Sequence, residues 1–176
     1  MKEKPLPNDD PITHDQVYHG IGRLSVHYSG LDFFIEVLTF ALFPATRRKS
    51  GSTLGSRLEF LDKRQSKDAT NPEVFDELKA HLPDLIEIAK ERNRILHDQW
   101  AFAPKILSQG KVQLARIHLE KSAEKIIEWK TFRLAYFEEL AERVLEAQGN
   151  AMDLVNKLGF IPLPCGGKMI YRAKEA

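Results

Sequence analysis

A single cysteine, Cys165, stands in a chain of 176 residues. One thiol excludes an internal disulfide framework and any zinc cage built from cysteines, and it fits a reducing compartment. Net charge is almost missing too: 26 basic against 25 acidic residues leave +1, so no overall field draws the chain to nucleic acid or to a membrane. Any such binding needs a local patch. Long hydrophobic runs are lacking. The most apolar stretch, residues 31–43, is too short to span a bilayer and contains Asp32 and Glu36. Residues 1–11 are polar and proline-broken, without the apolar core of a secretory signal. The chain has no internal repeat, no low-complexity tract and no glycine-rich phosphate loop, because Gly166-Gly167-Lys168 lacks a strand-to-helix setting. His14, His19 and His27 are too far apart on a helix to share a metal, and neither a metal nor a cofactor is expected. With 43% hydrophobic and 29% charged residues, the composition is that of a soluble globular chain with a real core, and a cytoplasmic location is the expectation.

The helical signal begins at Thr13, which with Gln16 has capping-box spacing. Val17, Ile21, Leu24, Tyr28, Leu31, Ile35, Leu38 and Leu42 follow in steps of four and three, one continuous seam that ends before Pro44. Phe33, Phe34, Val37, Phe40 and Phe43 make the second half apolar nearly all round, which predicts burial on several faces or at a subunit interface. A basic loop, residues 45–53, leads to a second helix over 54–67. Asn71-Pro72 opens a third helix, with a kink or restart expected near Leu82 because of Pro83, running on to about Gln99. Val112, Leu114, Ile117 and Leu119 predict a small two-stranded ribbon, with residues 108–111 as its turn. Ser122 is expected to cap a fourth helix through about Gln148, burying Ile126, Trp129, Phe132, Phe137, Leu140 and Val144, with a further helical piece over 151–158. The reading is an all-α, four-helix-type bundle with a small β-ribbon between helices three and four. It assigns residues 1–12 to a disordered arm, 13–158 to the helical domain and 159–176 to an irregular tail.

The chemistry concentrates in Glu91-Arg92-Asn93-Arg94-Ile95-Leu96-His97, at the end of the third helix. A guanidinium grips phosphate oxygens in a fixed fork, and an imidazole titrates near neutral pH. Asn93 and His97 are one turn apart on the same side, Arg92 is beside them at the edge of the core stripe, and Glu91, Arg94 and Asp98 are placed on the watery side.

This segment resembles the signature of the HEPN superfamily: an arginine followed by a polar residue, then a histidine after four to six positions. Arg92, Asn93 and His97 match it with four residues between the Arg and the His. The resemblance implies a HEPN-like bundle and, as in many of its members, a metal-independent endoribonuclease whose homodimer joins two motifs in one cleft. It implies His97 as general acid or base, Arg92 on the scissile phosphate and Asn93 as an orienting amide, giving 2′,3′-cyclic phosphate and 5′-hydroxyl ends. RNA would be the substrate in a toxin-like or defence setting, with an antitoxin or another protein as a further partner. Two departures stand out: Asp98 follows the His where Gly is frequent, and Gln99 occupies the position where one toxin branch carries a modified Tyr. A non-catalytic RNA-, nucleotide- or protein-binding module on the same scaffold is the alternative.

Two further groups of residues bear on this expectation. Asp32 and Glu36, one turn apart in the most apolar part of the first helix, need a cation if buried, and Arg92 is the expected partner. Otherwise they line a solvent-facing edge. Arg47, Arg48, Lys49, Arg57, Lys63 and Arg64, with Lys67, form the densest basic region and are candidates for RNA contact, or simply a solvated surface diluted by Glu59, Asp62 and Asp68. No aromatics interleave with these charges, so no stacking platform is visible among them.

Overall fold

In the computed structural model, which describes residues 13–46, 50–98, 105–107, 111–119, 125–165 and 168–173, the first helix starts at the expected cap. The Thr13 N–H donates to Gln16 Oε1 at 2.8 Å, and the Gln16 N–H donates back to Thr13 Oγ1 at 3.2 Å. Four helices follow in order: α1 (His14–Leu42), α2 (Leu54–Asp62), α3 (Pro72–Asp98) and α4 (Leu134–Lys157). Between α3 and α4 lies an antiparallel sheet of β1 (Lys105–Ile106), β2 (Lys111–Leu119) and β3 (Lys125–Arg133), with β2 central. A second antiparallel pair, β4 (Phe160–Cys165) and β5 (Lys168–Ala173), follows α4. The chain is thus mostly helical, with more strand than a single ribbon. Among the described residues, no helix is long and apolar enough to cross a membrane.

The chain divides into two compact units. One contains the described residues up to Val26 with Glu91–Arg143, and the other contains His27–Lys90 with the residues from Val144 onward. In the first unit, Val17, Ile21 and Leu24 of α1, Ile95 of α3, Val112 and Leu114 of β2, and Phe137, Leu140 and Ala141 of α4 are buried. Gly20 permits a close approach here, since a Cβ at that position would stand 3.0 Å from Phe137 Cβ. In the second unit, Leu31, Ile35, Leu38 and Leu42 of α1, Leu54, Leu58 and Leu61 of α2, Phe75, Leu78, Leu82 and Ile88 of α3, and Val144, Leu154 and Val155 of α4 are buried. Phe43 meets Phe60 and Phe75 edge to face, with centroids at 5.8 and 5.1 Å.

All eight residues of the predicted α1 seam are buried. The apolar excess around it is only partly covered: Phe34 and Phe43 are buried, whereas Phe33 remains 41% exposed. Asn71 caps α3 through its side-chain oxygen, which accepts from the Val74 N–H at 3.1 Å. Pro83 does not restart the helix, which is continuous from Pro72 to Asp98. The proline is exposed while Leu82 and Leu85 beside it are buried, so core contacts on both sides offset the missing backbone hydrogen bond. The second helix is shorter than predicted, ending at Asp62 before a 3-10 turn, Ser66–Asp68.

The region after residue 122 departs most from expectation. Residues 125–133 form β3 rather than the first turns of a helix, paired with β2 from Lys111↔Arg133 to Leu119↔Lys125. Ile126, Trp129 and Phe132 recur every three residues, which suits a helix, but the β-branched and aromatic run also suits a strand, and pairing with β2 decides between them. Trp129 is therefore a strand residue, not part of a buried helix face. Ser122, the expected cap, lies outside the described residues. Helix α4 continues through Gly149-Asn150, held by the buried Ala147 and Ala151 on either side. It ends at Lys157, and Gly159 two residues on, whose φ of 76° is left-handed, donates its N–H to the Asn156 carbonyl at 2.9 Å. The tail beyond is a hairpin. Pro162 and Pro164 sit two apart, so both missing N–H groups face the same side of the strand, which a two-stranded ribbon leaves unpaired.

Candidate functional site

The end of α3 carries the Arg92–His97 segment as continuous helix to Asp98. Arg92 is half-buried, Asn93 and Arg94 are exposed, and Ile95 is fully buried, so Ile95 anchors this turn in the core of the first unit. The Arg92 guanidinium donates to Asn93 Oδ1 at 3.2 Å. The backbone at His97 belongs to α3, and its side chain lies outside the described residues.

Glu91 is not on a watery face. Its side chain is only 16% exposed and accepts from the Arg143 guanidinium of α4 at 3.1 Å. The Tyr136 phenol also hydrogen-bonds to Glu91. Burial, followed by the negative charge of Glu91, pushes that phenol up from 10.0 to about 12, against the opposing fields of Arg94 and Arg143. The acid next to Arg92 is thus held and neutralised from α4. Arg143 and Tyr136 escaped the sequence reading because no local pattern links them to a residue so far back in the chain.

Asp32 and Glu36 do meet a cation, Arg57 of α2. Arg57 Nη1 lies 2.5 Å from Asp32 Oδ1, and Nη2 lies 2.8 Å from Glu36 Oε2. Thr53 makes this possible by capping α2 in a reciprocal box with Ser56, which fixes the first turn that presents Arg57. Arg57 is 5% exposed, so it is an internal ion-pair residue and not a solvated member of a basic surface. Arg64 is also engaged, with its guanidinium carbon 4.3 Å from the Phe60 ring centroid. Lys63 is exposed, while Arg47, Arg48 and Lys49 lie outside the described residues. The basic region therefore divides into groups with different surroundings.

Within the second unit, Glu77, His81, Asn150, Asp153, Leu154, Asn156 and Lys157 line an open hollow of about 590 Å³, with Lys157 bonded to Glu77. It shares no residue with the Arg92 segment. Among the described residues, no group of three or more His, Cys, Asp or Glu side chains could hold a metal ion.

Comparison of the chain with protein-family models, curated proteins and solved structures finds no match.

Proposed function

We propose that the chain is a HEPN-like, metal-independent endoribonuclease that acts as a homodimer, with Arg92, Asn93 and His97 as its working residues. The observation that carries this reading is the helix end itself. Arg92 engages Asn93 at 3.2 Å, while the adjacent acid Glu91 is tied to Arg143. A guanidinium fork suits two phosphate oxygens, and the Asn93 amide stands beside it on the same turn.

The chemistry needs a base, an acid and a charge stabiliser. Neutral His97 takes the proton of a ribose 2′-hydroxyl, and the 2′-oxygen attacks the adjacent phosphorus. The bond from phosphorus to the 5′-oxygen breaks, and that oxygen takes a proton from the protonated His97 of the second subunit. Arg92 stabilises the charge that gathers on the non-bridging oxygens, and Asn93 orients the arginine through its amide. The products are a 2′,3′-cyclic phosphate and a 5′-hydroxyl.

The same Glu91–Arg143–Tyr136 contacts also suit a binding module that never cleaves, because they brace the helix end whatever it holds. Cleavage of single-stranded RNA in chelator separates the two. The nuclease reading expects cyclic-phosphate ends and a loss of about 100-fold or more in His97→Ala. An intact fold with no cleavage by the unmodified chain, or equal rates in His97→Ala, overturns it.

A further inference from the structure

Sheet register sorts the residues of β1–β3 onto two faces. Val112 pairs with Phe132, and Ile106 pairs with Val112, which puts these three on one face with Leu114. That face looks inward: Val112 and Leu114 are buried, and the Phe132 ring stacks on Tyr136 at 5.4 Å and approaches Phe137 at 5.8 Å. The opposite face carries Lys111 paired with Arg133, Gln113 paired with both Lys105 and Thr131, and Trp129 two positions beyond Thr131. Lys105, Lys111, Thr131 and Arg133 are exposed, and Gln113 and Trp129 are half-buried. Among the described side chains of this outer face there is no carboxylate. The Lys105 ammonium lies 4.0 Å from the Trp129 ring centroid, and the Gln113 amide donates to the Thr131 hydroxyl at 3.3 Å.

We propose that this outer face is a single-stranded RNA-binding platform, with a base stacked on Trp129 and phosphates held by Lys105, Lys111 and Arg133. The proposal rests on the ribonuclease reading for its choice of RNA. Charge complementarity carries it: three cations with no opposing acid among the described side chains flank one aromatic ring in a chain of nearly zero net charge. From Lys111–Arg133 to Trp129 the face runs four residues of strand, roughly 13 Å, enough for a short extended run of nucleotides. Base stacking on an aromatic ring outweighs an exposed ammonium–ring contact, so an arriving base displaces Lys105 from Trp129 and frees it for the flanking phosphate. Gln113 and Thr131 offer an amide and a hydroxyl to base edges. The platform belongs to the same compact unit as Arg92.

The test uses the full chain carrying Trp100→Phe, which leaves Trp129 as the only tryptophan. The probe is a 2′-O-methylated oligouridine, which lacks the attacking hydroxyl and cannot be cut. Binding should quench Trp129 fluorescence, whereas a duplex of equal length should not. The exposed-site variant Lys105→Ala/Lys111→Ala/Arg133→Ala should lower the slope of log affinity against log salt by about two, as expected when three phosphate contacts are lost. Trp129→Leu, read by the fluorescence anisotropy of an end-labelled copy of the same oligouridine, should weaken binding about tenfold. No binding, binding without quenching, or an unchanged salt slope in the triple variant overturns the platform. Quenching by a chain that never cleaves RNA refutes the nuclease reading alone, and cleavage without quenching refutes the platform alone.

Discussion

Replacing Arg57 by methionine tests whether the buried ion triad holds α2 against α1 within the second unit. Methionine keeps the unbranched apolar stem of the side chain and nearly the same helix propensity, so the change removes chiefly the charged head. What it leaves behind are Asp32 and Glu36, two carboxylates one turn apart on α1 that lose the guanidinium at 2.5 and 2.8 Å. Breaking a fully buried pair costs ~3–5 kcal/mol. Here the carboxylate side chains keep 34% and 39% exposure, so water screens part of that cost. A loss of about 2–3 kcal/mol is expected, or roughly 5–10 °C in Tm for a chain of this size. Urea unfolding followed by circular dichroism reads it as a lower midpoint at unchanged slope. The companion variant Asp32→Asn/Glu36→Gln/Arg57→Met removes all three charges together and should recover to within about 1 kcal/mol of the parent. Arg57→Met within about 0.5 kcal/mol of the parent, or a triple variant no better than the single one, would refute the reasoning.

Tyr136 should be visible in an alkaline titration, because its phenol holds its proton to about 12 against an ordinary 10.0. Between those values the unfolded chain has lost this proton and the folded chain has not, so stability falls as pH rises through that window. Phenolate absorbance should show a late-titrating tyrosine step that is lost in Tyr136→Phe; no late step, or one that survives in Tyr136→Phe, would contradict the Glu91 contact. Gly20 and Gly22, both inside α1, should respond oppositely to alanine. Gly22→Ala meets nothing within 4 Å and should stabilise by about 0.5–1 kcal/mol, whereas Gly20→Ala forces a Cβ to 3.0 Å from Phe137 Cβ and should lose that gain or destabilise. Equal effects of the two substitutions on Tm would show that the contact with Phe137 relaxes freely.

The sequence by itself determined what depends on near neighbours. The α1 seam, the Thr13–Gln16 box and the Asn71 cap are relations over three or four residues, set by helix geometry and satisfied as written. The place of Arg92, Asn93 and His97 on one helix end was legible for the same reason. Tertiary structure decided what depends on partners far along the chain. Residues 125–133 fit either period, and only β2 makes them a strand. Arg57 finds Asp32 across 25 positions and Glu36 across 21, and Glu91 finds Arg143 across 52. A charged side chain pairs with whichever opposite charge packing brings within reach, and no local pattern states which one that is.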